Sequence, residues 1–188
     1  MPVYKPDAVV LSYVMNDAEP STALPTPPDE TYRHAHSWFL AELVEVANRH
    51  MFKRRVFETH KDTVSGAYLD GFGERSPKWR DSKQAIREMR DLCAASGTSF
   101  KILILPDFTQ EFDARYGFQK IHDAVASWGR ELDVPVVDLL HTFRGDDHQT
   151  LLVPWDGHPN AEGHRRIAEV LITSLLDDPT LTQGASVP

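Results

Sequence analysis

Apolar positions along the chain follow two rhythms. Three short runs are almost continuously apolar: Ala8 to Val14 (AVVLSYV), Phe100 to Leu105 (FKILIL) and Val134 to Leu140 (VPVVDLL). Each is β-branched or leucine-rich and ends at Asn-Asp, Pro-Asp or a polar loop, which predicts three strands. Strands without polar alternation are covered on both faces, as in a parallel sheet.

Elsewhere the apolar residues recur at helical spacing. Ser37 to about Phe57 carries Phe39, Leu40, Leu43, Val46, Ala47 and His50. Pro77 to Ala95 carries Trp79, Ile86, Met89 and Leu92, with Gly97 as a stop. Phe118 to Leu132 carries Ile121, Val125, Trp128 and Leu132. Ala161 to Leu176 places His164, Ile167, Ala168, Leu171, Ile172 and Leu175 on one stripe, behind Asn160 as N-cap.

The order β-α-α-β-α-β-α predicts an α/β fold, a three-layer α/β/α sandwich with an open parallel sheet. Residues 16–30, with four prolines, and 58–77, with three glycines, predict loops. The tail from Asp177 is expected to fray, leaving one domain over residues 1–176 and a flexible segment over 177–188. Three strands are few, since sheets usually have ~4–6. The first opens almost at residue 1, as though strands before it were missing. Its bare edge then predicts self-association.

Composition narrows the function. A length of 188 residues suits one domain, and 41% hydrophobic with 26% charged residues is ordinary for a globular protein. The net charge of -8 argues against a general binder of nucleic acid or anionic membrane. No apolar run approaches the ~20 residues of a membrane span. The opening MPVYKPDAVV lacks the basic-then-apolar pattern of a signal peptide. A cytoplasmic location is expected if Met1 is the natural start, and export stays open if the protein begins upstream. Cys93, the lone cysteine, reads as a buried small hydrophobe rather than a nucleophile.

In open parallel sheets ligands bind beyond the carboxyl ends of the strands. Asn16 and Asp17 follow the first strand, Pro106 and Asp107 the second, and Asp138 ends the third. The stretch PWDGHPNAEGHRRIAEVL (154–171) puts His158 two residues after Asp156, on the loop entering the last helix. Such an imidazole can take a proton from a hydroxyl nucleophile, with a carboxylate orienting it. The Asn16 amide is a suitable neutral donor to an oxyanion. The plainer alternative is that Asp156, Pro159 and Asn160 only shape a helix N-terminus, and that Asn16-Asp17 is a turn.

Nine histidines raise the question of a metal. His34 and His36, and the group His141, Asp146, Asp147 and His148, carry ligating atoms, but no H-E-x-x-H or paired-cysteine pattern is present. No metal or cofactor is expected, and His164 is expected to pack or hydrogen-bond inward.

VVLSYVMND, followed much later by DGHPNAEGHRRIAEVL, resembles the SGNH hydrolases, the GDSL-type esterase and lipase superfamily. The resemblance runs from Pro6 to about Leu176, and its C-terminal stretch is the more specific half. It implies a flavodoxin-like sheet of which the last three strands are present. It also implies hydrolysis of a small-molecule ester, of esterase, lipase or deacetylase type, through an acyl-serine intermediate. On this match His158 is the base, Asp156 its acidic partner and Asn16 an oxyanion donor.

The chain departs from the family in three places. Val14 stands where the family has glycine. Asp156 precedes His158 by two residues rather than three, the third position being Trp155. No Gly-Asp-Ser and no Gly-x-Ser-x-Gly elbow occurs anywhere. Ser12, Ser76, Ser82, Ser96 and Ser99 lack an elbow signature, and Ser65 (in VSGAY) comes nearest. The expectation is an N-terminally incomplete form of an active hydrolase whose serine lies upstream of Met1. The rival is a catalytically inactive hydrolase-like domain that binds a partner or an acyl or sugar ligand.

Overall fold

The computed structural model describes residues 5–18, 68–154 and 157–182. The expected helix over Ser37 to Phe57 and the serine at position 65 lie outside these residues. Three strands, β1 (Ala8–Tyr13), β2 (Ser99–Ile104) and β3 (Val136–Asp138), form one sheet in the order β1-β2-β3. Both pairings are parallel, with Ala8 opposite Ser99 and Ile102 opposite Val136. All three carboxyl ends therefore open on one rim.

Helix α1 (Pro77–Ser96) lies between β1 and β2 in the chain and leads directly into β2. Ser76 caps it, accepting from the Trp79 amide at 3.5 Å, and Pro77 stands at its first position, where a missing N–H costs nothing. It stops at Gly97 (φ 69), whose left-handed backbone suits a residue without Cβ. Its buried stripe is Trp79, Ile86 and Cys93, two turns apart each. Leu92, expected on that stripe, is 72% exposed; Cys93 takes the inward place and is buried as the sequence suggests. Helix α2 (Gln119–Glu131) joins β2 to β3 and buries Ile121, His122, Val125 and Trp128.

Side-chain alternation along β2 assigns the layers. Ile102 faces α2, where a Cβ on Gly129 would stand 3.7 Å from its Cδ1. Lys101 faces the other way, its Nζ bonded to the carbonyl of Ser174 at 2.6 Å. Ser174 belongs to helix α4 (Ala161–Leu176), so α1 and α2 cover one face and α4 the other. The α1–α2 contact is direct: Trp128 Nε1 donates to the Lys83 carbonyl at 3.1 Å. This is the α/β/α sandwich expected. Among the described residues the far edge of β1 pairs with no further strand.

The third strand is shorter than its apolar run. Asp138 ends it by accepting from the Leu140 amide at 3.0 Å, and Leu140–Phe143 turn into a short helix, α3. Part of the stretch expected as a loop before α1 also forms a helical turn, at residues 68–71. Beyond α4 the chain does not simply fray. Pro179–Thr182 form a further turn, α5, and Asp178 is buried against the sheet, accepting from Ser99 Oγ at 2.7 Å.

Candidate active site

Three exits reach the rim. After β1 the chain turns at once. The Asp17 carboxylate accepts from the Val14 amide at 2.9 Å, and the Asp17 amide donates to the Val14 carbonyl at 3.1 Å. Met15 and Ala18 are buried under this turn, while Asn16 is exposed. The two sequence readings of Asn16-Asp17 are thus compatible: Asp17 makes the turn and leaves the Asn16 amide free of that task.

The loop after β2 is packed by aromatics. Phe108, Phe112 and Phe143 form a triangle with centroids 5.1 to 5.5 Å apart, all three nearly or fully buried. Beside it lies a buried polar group that sequence reasoning missed. His122, fully buried on α2, meets Asp138 Oδ1 through Nδ1 at 2.7 Å and the Tyr116 hydroxyl through Nε2 at 3.1 Å. The Tyr116 oxygen in turn accepts from the Asp107 amide at 2.8 Å. Burial pushes the Tyr116 hydroxyl far above its ordinary range, so it stays protonated. Burial alone would raise Asp138, but the hydrogen bonds it accepts from His122 Nδ1 and the Leu140 amide outweigh that and hold the carboxyl below the usual range. The available signal was an aspartate at the end of a buried strand and a histidine beside the apolar stripe of the preceding helix.

His158 lies on a narrow turn between the aromatic triangle and α4. Its carbonyl accepts from the Val153 amide at 2.8 Å, and Leu152 pairs with Pro159 as an antiparallel bridge. Gly157 before it has φ 80, a backbone state that side chains resist. The His158 side chain is exposed. Asn160 closes the turn from both ends of its amide. Its oxygen accepts from the Glu162 and Gly163 amides at 3.0 Å each, and its nitrogen donates to the Thr150 carbonyl at 2.9 Å. Gly163 then lies so close that a Cβ would stand 2.7 Å from the Leu151 carbonyl and 3.6 Å from Phe108 Cε1. The His158 turn is therefore packed onto the loop leaving β2, at the carboxyl rim.

Asp156, the expected partner of His158, lies outside the described residues. Four described serines hold structural posts. Ser76 caps α1, Ser82 bonds the Tyr13 hydroxyl at 2.8 Å, Ser96 bonds the Leu92 carbonyl, and Ser99 bonds Asp178. Ser12 is exposed within β1. His164 does not point inward as expected. The buried face of α4 runs through Gly163 and Ile167, which leaves His164 exposed one position off it, and Ile172 likewise is 55% exposed. Among the described residues no cluster of three metal-ligating side chains forms, and no helix is long and apolar enough to cross a membrane.

A three-layer sandwich around a parallel sheet, with the His158 turn at its carboxyl rim, places the chain in the class of open-sheet α/β proteins. Comparison with known families names that class. The model of the GDSL-like Lipase/Acylhydrolase family matches residues 1–166, and the chain belongs to that family, within the SGNH hydrolase superfamily. The match ends in the second turn of α4, so it takes in the His158 turn and its cap. No curated protein and no solved structure matches the chain.

Proposed function

We propose that this chain carries the acid–base part of an ester or acyl hydrolase acting on a small-molecule ester. His158 takes the proton of a hydroxyl nucleophile as it adds to the ester carbonyl, and then gives that proton to the departing alcohol. Water attacks the acyl intermediate by the same route in reverse. Asp156 orients the imidazole and balances its charge, and the Asn16 amide donates to the oxyanion of each tetrahedral intermediate. The observation that carries this reading is His158 itself, solvent-facing yet held at the rim by Val153, Pro159 and Asn160. A serine absent from residues 1–188 supplies the nucleophile, since none here has an elbow and most described ones are bonded elsewhere.

Hydrolysis of p-nitrophenyl acetate tests it, run on the chain and on His158→Ala beside labelling with a fluorophosphonate. The expected result is no label and background turnover in both. Turnover lost in His158→Ala would place the nucleophile within residues 1–188. Turnover surviving that substitution would remove His158 from the chemistry. The lack of Gly-Asp-Ser also favours a second reading, a binding domain that keeps the rim without the reaction. Saturable binding of an acyl or sugar ligand, undisturbed in His158→Ala, would favour it.

A further inference from the structure

We infer that Tyr116, His122 and Asp138 form a buried positioning network that locks the loop leaving β2 against the first turn of α4, and thereby fixes where His158 stands. The inference rests on the role proposed for His158, but its test does not need turnover.

Proton placement follows from the Asp138 carboxylate, which can only accept, and from the buried Tyr116 hydroxyl, which needs an acceptor. The Asp107 amide donates to Tyr116 Oη at 2.8 Å, so that oxygen already accepts. Tyr116 and His122 are 5% and 0% exposed, and the tyrosine proton has His122 Nε2 as its acceptor at 3.1 Å. His122 therefore carries its proton on Nδ1 and donates it to Asp138 Oδ1 at 2.7 Å. Each polar atom of the Tyr116 and His122 side chains is answered, which such a network requires in a low-dielectric interior. A hydrophobic filling would have served the sheet as well, so three matched polar side chains at this depth call for another reason.

The reason lies in what the network holds. Asp138 is the end of β3, His122 is on α2, and the Asp107 amide begins the loop leaving β2. Phe108 comes next, 2% exposed, wedged between Phe112 and Phe143 and against Gly163 of α4. From Gly163 the contacts continue through the Asn160 oxygen, the Asn160 amide on the Leu151 carbonyl at 2.7 Å, and the Val153 amide on the His158 carbonyl. A chain of contacts thus links the end of β3 to the turn that presents His158.

Amide hydrogen exchange on the intact chain tests this, comparing wild type with Tyr116→Phe, which deletes a single oxygen. The amides of Val153, Asn160 and Gly163 should exchange roughly fivefold faster, the scale of one lost buried hydrogen bond, while the Ile102 amide in β2 keeps its protection. Ile86→Val, a core truncation on α1, should raise exchange without singling out those three. His122→Asn, which reaches Asp138 but not Tyr116, should reproduce the local pattern and serves if Tyr116→Phe folds poorly. An evenly spread rise in both network variants, matching Ile86→Val, overturns the inference. A local rise together with an ester assay that removes His158 from the chemistry keeps the network and discards the role of what it positions.

Discussion

Lys101 and Asp178 form a buried ion pair, Nζ to Oδ2 3.2 Å, with side chains only 8% and 7% exposed. The lysine lies in the middle of the central strand, and the aspartate comes just after α4 ends. The Ser174 carbonyl and Ser99 hydroxyl complete the set. The pair ties the end of the described chain to the sheet's centre. Lys101→Met or Asp178→Asn alone leaves an unanswered charge and should cost ~3–5 kcal/mol. Replacing both by apolar residues should recover most of that loss. Urea unfolding of the two single variants and the double reads the difference directly.

Acid should weaken the fold partly through Asp138. Its carboxyl is held below the unfolded value of ~3.9, because the His122 bond outweighs the effect of burial. Its contribution is therefore full above the unfolded value and is lost as pH falls through the lower folded one. Asp138→Asn should be markedly less stable than wild type near neutrality. The gap in urea midpoint should close below ~pH 4; a gap constant from neutrality into acid would contradict the sign argued here.

Gly129 and Val136 should behave as a coupled pair. A Cβ on Gly129 would stand 2.2 Å from Val136 Cγ2, a clash relieved by moving α2 from β3 or by turning Val136 out of its rotamer. Gly129→Ala should cost ~1–3 kcal/mol by overpacking. In Gly129→Ala/Val136→Ala the offending methyl is gone, so the double variant should lose less than the sum of the singles. Strict additivity in thermal or urea melts would show that the helix shifts freely.

The His158 turn should tolerate change poorly at its glycines. Gly163→Ala places a methyl 2.7 Å from the Leu151 carbonyl and 2.9 Å from the Pro159 Cβ. Neither neighbour is a flexible side-chain end, so a loss of ~1–3 kcal/mol is expected, with displaced His158 ring resonances. Gly157→Ala forces a side chain onto φ 80 and should cost ~1–2 kcal/mol. A Gly163→Ala protein with unchanged Tm and His158 resonances would show the turn to be yielding.

The layers were legible because buried parallel strands read as unbroken apolar runs, and β1 and β2 appear within a residue of those runs. The Asn160 cap was legible too, since capping is local. What stayed hidden was joined across long sequence gaps. His122 sits beside Ile121 on an ordinary amphipathic helix, and its partners are 6 and 16 residues away. Lys101 interrupts FKILIL as a charge with no visible answer, because Asp178 fell in a segment read as tail. On α4 a stripe of apolar residues was visible, but which part of it faces inward depends on Gly163 and its close neighbours. Ile172, 55% exposed, and the exposed Ala168 show how far periodicity alone misjudged that face.

Asn160 answers to two masters at once. Its oxygen closes the helix below, and its nitrogen closes the loop above. Aspartate, the usual equal of asparagine at a helix start, has only the first ability, so an exchange that passes as conservative elsewhere would here keep the helix and unfasten the loop. The position calls for a residue that both gives and receives, and a point mutation here can separate a sound fold from a well-aimed histidine.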